Sequence, residues 1–406
     1  MSNTPKLRFP EFTKEYDTLE LSKFVDRITR KNKDNFTDIP LTISSLDGLV
    51  DQRTYFGKPI ASRDMSNYFL LEKGEFAYNK SYSHGFPVGS IKRLDNYDYG
   101  ALSTLYICFA LKNDINYNSD YIKYYFESSF WHKKVKEICA EGARNHGLLN
   151  VSVNEFFYTK HNITTDIKEQ NKIAKLFNIY DQKINNQLKI IENSEKAKDG
   201  FLSNLFLQKI NVYNNKKSSW KKIKLSDVLK ERKEKSSGNE EVFSVSVTKG
   251  LVNQIEHMGR SYAADNTSNY NLVYPGDVVY TKSPTGEFKW GIVKQSTINK
   301  NVIISPLYGV FIPINNNIGY LIDAYFSSSV RAHNYLITQI RKGAKNTINI
   351  TNSEFLNKEI SLPEDISEQK KIVDIIKLLN KKIEIENKKL EEMKKIKKGL
   401  LQKMFC

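Results

Sequence analysis

The chain has 406 residues, of which 40% are hydrophobic, with 22 Phe and 23 Tyr, enough for two or three domains with real cores. Lys and Arg outnumber Asp and Glu by 62 to 46, a formal charge of +16 that argues for a polyanionic partner, nucleic acid before membrane. No apolar run approaches the ~18 residues of a spanning helix. The start MSNTPKLRFPEF has no signal-peptide core, and Cys108, Cys139 and Cys406 are too scattered for a disulfide framework or a zinc site, so a soluble cytoplasmic protein is expected.

In chain order the sequence is written twice. Residues 1–163 mix short β-branched and aromatic runs (Phe69-Leu-Leu, Leu105-Tyr-Ile-Cys-Phe) with Gly, Pro, Asn and Asp punctuation and a helical stretch around Asp120 to Ile138. Residues 164–208 form a long helix whose apolar positions Ile173, Phe177, Tyr180, Ile184 and Leu188 alternate by three and four, the seam of a coiled coil. Residues 209–362 repeat the mixed region, with Val278-Val-Tyr and a helical stretch from Ile318 to Ile340. Residues 363–406 repeat the helix, with Ile372, Ile376, Leu379, Ile383 and Leu390 on its seam.

The repeats are collinear. Gly74-Glu-Phe-Ala-Tyr78-Asn-Lys80-Ser81 returns as Gly276-Asp-Val-Val-Tyr280-Thr-Lys282-Ser283. Tyr125-Phe-Glu-Ser128 returns as Tyr325-Phe-Ser-Ser328, Gly142-Ala-Arg-Asn145 as Gly343-Ala-Lys-Asn346, and Ile167-Lys-Glu-Gln170 as Ile366-Ser-Glu-Gln369. The expected fold is therefore α+β: two similar mixed α/β domains separated by two long antiparallel coiled-coil helices and related by a pseudo-two-fold internal repeat. A seam helix cannot bury its stripe alone, and two-fold related helices bury each other antiparallel.

Catalytic signatures are missing. No Pro-Pro pair exists, so the Asp/Asn-Pro-Pro-aromatic motif of amino-methyltransferases is absent; Gly57-Lys58 is followed by Pro59 and is no Walker A; no Gly-x-Ser-x-Gly, His-Glu-x-x-His or paired Cys-x-x-Cys occurs; and the six histidines do not cluster at ligand spacing. One near-miss is Asp277 followed by Glu287 and Lys289, a nuclease-like spacing of two Mg²⁺-binding carboxylates with a lysine for the attacking water. The repeat argues against it, because Gly85 and Pro87 occupy the matching first-half positions.

The basic excess is better evidence. From Lys370 to Lys403 the second long helix carries twelve lysines against five acids, which suits either a solvated helix flank or phosphate contacts. Base reading needs donors and acceptors on loops. Two pairs of polar loops sit at matching places with different content. The first pair is Lys80, Ser81, Tyr82, Ser83 and His84 against Lys282, Ser283 and Thr285. The second is Arg144, Asn145 and His146 against Lys345, Asn346 and Thr347. Lys80/Lys282 and Ser81/Ser283 recur identically, which suits phosphate contact or framework. The residues that differ suit base discrimination, Arg and Lys for guanine and Asn for adenine.

A duplicated unit of variable region plus long helix, basic and without a catalytic motif, resembles the DNA specificity subunit of type I restriction-modification enzymes. The resemblance covers essentially the whole chain and rests on the Trp220-Lys-Lys-Ile-Lys-Leu225-Ser-Asp opening, the Gly74/Gly276 segments and the Ile-x-Glu-Gln-x-x-Ile entries at Ile167 and Ile366. It implies a non-catalytic subunit in which each variable region is a target recognition domain reading one half of a split, asymmetric double-stranded DNA site. The paired helices would set the spacer. Partners would be two DNA-methyltransferase (modification) subunits using S-adenosylmethionine, and restriction/translocase subunits using ATP and Mg, with no cofactor or metal on this chain and no membrane. Rival expectations are a Mg-dependent nuclease using Asp277, Glu287 and Lys289, and a non-specific DNA-bridging coiled-coil scaffold.

Overall fold

The structure, a computed structural model, describes residues 3–44, 47–58, 60–81, 86–114, 116–139, 149–212, 219–258, 266–339, 341–342 and 348–406, with backbone alone at 257, 258, 341 and 342. The chain divides into two compact units: residues 1–189 with 388–406, and residues 190–387. Each long helix, Ile167–Phe206 and Ile366–Met404, contributes to both.

Both units have one topology. In the first, an antiparallel sheet runs in the order Val25–Ile28, Ile107–Leu111, Phe76–Asn79, Ser90–Arg93. In the second, the order is Leu229–Glu231, Gly309–Pro313, Val278–Tyr280, Val293–Gln295. Strand residues alternate between faces. Phe76 and Tyr78 face helices Ser119–Glu127 and Phe130–Ile138 in a large aromatic core, while Ala77 and Cys108 face a smaller core with Leu41, Ile43 and Leu71. The second unit repeats this, with Val278 and Tyr280 in the large core and Val279 in the small one. A sheet with both faces covered explains why its strands read as near-continuous apolar runs instead of alternating ones.

A second, two-stranded sheet ties the start of each mixed region to its end: Asp17–Glu20 pairs antiparallel with Lys160–Ile163, and Trp220–Lys224 with Glu359–Pro363. The last strand then leads into a long helix. Asp166 Oδ1 caps the first by accepting from the Lys168 amide at 2.8 Å, and Asp365 Oδ1 caps the second by accepting from the Ser367 amide at 2.7 Å.

The repeated Glu-Gln of each helix start is a joint. The Glu169 carboxylate receives Arg8 Nε and Nη2 at 2.7 and 2.8 Å; Glu368 receives the Ser219 amide and hydroxyl and Trp220 Nε1. Gln170 Nε2 donates to the Thr164 carbonyl and its Oε1 accepts from the Asn118 amide. Gln369 Nε2 donates to the Pro363 carbonyl and its Oε1 accepts from Asn315 Nδ2. Both pairs are buried, so these motifs fasten strand, helix and mixed region together.

The long helices run antiparallel. In the first unit the Phe177 ring stacks on Phe405 at 6.1 Å, and four residues later Asp181 meets Lys397 at 2.6 Å, so one chain number rises as the other falls. In the second unit Leu202 and Leu205 share a core with Ile372 and Ile376. Ile173, Phe177, Ile372, Ile376 and Leu390 are buried; Tyr180, Ile184, Leu379 and Ile383 are half-buried.

Leu188 corrects the sequence reading. It is 45% exposed, whereas Gln187 is 5% exposed and takes the inward position. The seam keeps a strict heptad through 173, 180, 187 and 194, interleaved with 177, 184, 191 and 198, and 188 breaks it. Choosing the apolar residue over its polar neighbour missed the register.

Candidate nucleic-acid interface

The first candidate loop of each unit is the connection of a hairpin. Its flanking strands are Phe76–Asn79 and Ser90–Arg93 in the first unit and Val278–Tyr280 and Val293–Gln295 in the second. The base of each is held in the same way. Tyr78 Oη donates to the Val88 carbonyl and Tyr280 Oη to the Trp290 carbonyl, both at 2.7 Å. Each tyrosine ring stacks on a phenylalanine of the short helix before the last strand, Tyr78 on Phe156 at 4.9 Å and Tyr280 on Phe355 at 4.6 Å. Gly89 and Gly291 have φ of 80° and 94° beneath these rings. A Cβ on Gly89 would lie 1.9 Å from the Asn79 carbonyl oxygen, and one on Gly291 would lie 2.9 Å from the Lys282 nitrogen, so glycine is required for the strands to close. A rigid, buried base thus presents a polar tip.

Lys80 and Ser81 leave the first strand partly buried. The Lys80 carbonyl accepts from the Leu149 amide at 2.9 Å, and the Ser81 amide donates to Asn79 Oδ1 at 2.9 Å. Leu149 is where the chain returns from the second candidate loop, so the fold brings the flanks of the two polar loops of this unit together. Tyr82, Ser83, His84, Arg144, Asn145 and His146 lie outside the described residues, as do Lys345, Asn346 and Thr347.

In the second unit Lys282 has φ of 52°, a left-handed backbone unusual for a side-chain-bearing residue. Burial pulls its ammonium below the ordinary lysine value, against the opposing pull of Glu231 and Glu354. Ser283 Oγ donates to the Thr281 carbonyl at 3.3 Å. Thr285 is exposed at the tip, its backbone paired both ways with Phe288 at 3.0 Å. Lys80/Lys282 and Ser81/Ser283 therefore stand at the shoulders of the hairpin, and Thr285 stands at its turn.

The nuclease expectation fails on Asp277. Its carboxylate side chain is 3% exposed and is taken up by Arg232, Nε to Oδ2 at 2.7 Å and Nη2 to Oδ1 at 3.0 Å, and by the Tyr274 amide at 2.8 Å. Glu75 has the same role in the first unit, receiving Arg30 Nη2 at 2.9 and 3.0 Å and the Glu72 amide at 2.8 Å. Asp277 is a turn fastener whose oxygens are spent, while Glu287 and Lys289 are exposed. Among the described residues no group of three His, Cys, Asp or Glu side chains gathers as a metal would need. Sequence reasoning missed this ion pair because its partners lie 45 residues apart.

Residues 217–395 match the family model described as the type I restriction modification DNA specificity domain. A protein of Methanocaldococcus jannaschii carrying the name type I restriction enzyme MjaX specificity subunit is 23% identical, over 98% of this chain and 95% of its own length. The fold is shared with the type I restriction-modification S subunit from M. genitalium, at a TM-score of 0.53 and 14% identity over 99% of both chains. It is also shared with a structure solved for the complex assembly and conformational transition of the type I R-M system, at a TM-score of 0.55 and 13% identity over 96% of this chain and 97% of that one. The matched domain spans the second repeat, the first repeat has the same strand order, and the likeness to specificity subunits of type I restriction-modification systems runs the full length.

Proposed function

We propose that each mixed region is a target recognition domain that reads one half of a split, asymmetric site in double-stranded DNA, and that the chain itself does no chemistry. The observation that carries this reading is that one rigid hairpin base is built twice, with different residues on the two tips. Lysines at the hairpin shoulders contact phosphates and fix register; polar tip residues enter the major groove and discriminate bases, each good pair contributing ~1–3 kcal/mol. The long helices act as the spacer between half-sites.

The reactions belong to partners. Two DNA-methyltransferase modification subunits supply S-adenosylmethionine-dependent adenine methylation, and restriction/translocase subunits add ATP- and Mg-dependent translocation and cleavage. This chain holds no cofactor of its own and works in the cytoplasm. Among the described residues no helix is long and apolar enough to cross a membrane, and the candidate nuclease carboxylate is already consumed by an arginine.

The test is methylation mapping of DNA from cells carrying the chain with its modification subunits. Replacing residues 1–163 by another recognition domain should change one half of the methylated motif and leave the other half intact. An unchanged motif, or changes in both halves, would overturn the reading.

A further inference from the structure

The two units share strand order, hairpin base and helix joint, so shape alone does not tell a first-half region from a second-half one. The side chains that join each region to the long helices do differ. In the first unit Asp181 lies at the centre of a half-buried ionic network. Its carboxylate takes Lys397 Nζ at 2.6 Å and the Tyr124 hydroxyl at 2.7 Å, and lies 3.9 Å from Lys123 Nζ. Lys397 is shared with Glu127 at 2.8 Å, and Lys123 with Asp95 at 3.2 Å.

In the second unit the matching positions carry another chemistry. Asn380 stands in the place of Asp181, Asp323 in that of Lys123, Ala324 in that of Tyr124 and Ser327 in that of Glu127. Asn380 Nδ2 donates to the Tyr320 hydroxyl at 3.0 Å, and Asp323 turns to its own sheet, pairing with Lys294 at 3.1 Å and accepting from the Gln295 amide at 3.0 Å. The first joint centres on the Asp181–Lys397 ion pair; in the second, Asn380 replaces that acid and Asp323 pairs within its own sheet.

We propose that this difference is an identity check: the stretch of paired helix around Asp181 and Lys397 is a docking surface that accepts a first-half region and rejects a second-half one. A second-half region seated there would take the Lys123 ammonium away from Asp181 and put the Asp323 carboxylate, with its own Lys294, at that position. It would also replace the tyrosine hydroxyl that Asp181 accepts from, and remove one of the two acids that hold Lys397. All three changes fall on half-buried charges, where solvent screens least. Like charges brought together discriminate between otherwise equivalent partners, as negative terms do in paired coils. A chain made of two look-alike halves thereby seats each region on its own helix stretch. The inference stands on the two joints and not on the DNA-reading function.

The experiment uses the full chain. Residues 17–165 are replaced by a copy of residues 220–364, with and without Asp181→Asn, and unfolding of the first unit is followed by thermal melting and limited proteolysis. With native helices the copy should melt at least ~5 °C below the same region in its own unit, and Asp181→Asn should recover at least half of that loss, while Glu195→Gln on an exposed helix position recovers none. Equal stability in both helix backgrounds overturns the proposal. Should the chimera fail to fold in every background, Lys123→Asp in the otherwise native chain decides: it should lower the melting point, and the double variant Lys123→Asp/Asp181→Asn should be more stable than Lys123→Asp alone. A double variant no more stable than Lys123→Asp, or a Lys123→Asp chain that melts as the native one does, rejects the identity check.

Discussion

The Tyr280 hydroxyl donates to the Trp290 carbonyl at 2.7 Å, and Tyr78 makes the same bond to Val88. Donor and acceptor lie ten positions apart in both cases, so one bond fixes the base from which each polar tip projects. Tyr280→Phe keeps the stacked ring and removes the hydroxyl, leaving a carbonyl without its donor. Stability should fall by ~1–3 kcal/mol. Hydrogen exchange should rise at the Ile292 amide, which bonds Thr281 next to this base, and stay unchanged in the first unit. Tyr78→Phe should give the mirror result. Unaltered exchange in both variants would show that the stacking on Phe355 and Phe156 suffices.

The Arg232–Asp277 pair is the stronger fastener. With the two side chains 11% and 3% exposed, removing one partner leaves the other's charge buried. Asp277→Ala should destabilise the second unit by ~3–5 kcal/mol, measured by denaturant titration. The double variant Arg232→Met/Asp277→Leu should recover much of that loss. The same substitution tests the chemistry from the other side: plasmid incubated with Mg²⁺ should remain uncut by the native chain and by Asp277→Ala alike.

What could be read from sequence was whatever repeats locally or periodically. The duplication is visible in Gly74/Gly276 and Gln170/Gln369, and the long helices are visible in the spacing of Ile173, Phe177, Ile372 and Ile376. The joint around Asp181 was not legible, because Asp181 and Lys397 are 216 residues apart and each reads as an ordinary exposed helix charge. Gln187, inward by heptad phase, is hidden in the sequence by its polarity beside the apolar Leu188. The role of Asp277 was hidden for a related reason: its spacing from Glu287 resembles a metal site, and only the fold shows Arg232 already bound to it. The positions of Lys80 and Lys282 beside the hairpin strands were legible because both follow recognisable, repeated strands.

Lys282 provides a test of DNA contact separate from base reading. A lysine neutralising one phosphate releases about one counterion, so Lys282→Ala should lower the slope of log affinity against log salt by ~0.9 and weaken binding to all sequences alike. Lys80→Ala should do the same for the first half-site. Thr285→Ala at the exposed tip should instead leave the salt slope near its native value and relax preference at a base of the second half-site alone, read by competition binding with single-base variants. A salt slope untouched by either lysine substitution would assign Lys80 and Lys282 to the framework.

His161 should give the first unit a dependence on acidity that Ile360, at the matching position, does not give the second. Its ring lies between the Tyr125 hydroxyl and Thr159 Oγ1, 2.8 Å from each, and Ile360 holds the matching place in the second unit. Burial, aided by the positive charge of Lys134, holds the imidazole down from 6.5 to about 3. The folded value lies below the unfolded one, so the unfolded chain binds a proton that the folded chain refuses. This contribution to stability is complete above about pH 6.5 and is lost as the pH falls from there toward 3, at up to ~1.4 kcal/mol per pH unit. His161→Ile removes the titrating group. It should cost ~1–3 kcal/mol at pH 7, where Tyr125 loses its partner, but flatten the acid decline of the first unit. Melting curves of native and variant chains between pH 7 and 4 should therefore converge and then cross as the pH drops; parallel curves would mean that another buried group sets the acid sensitivity.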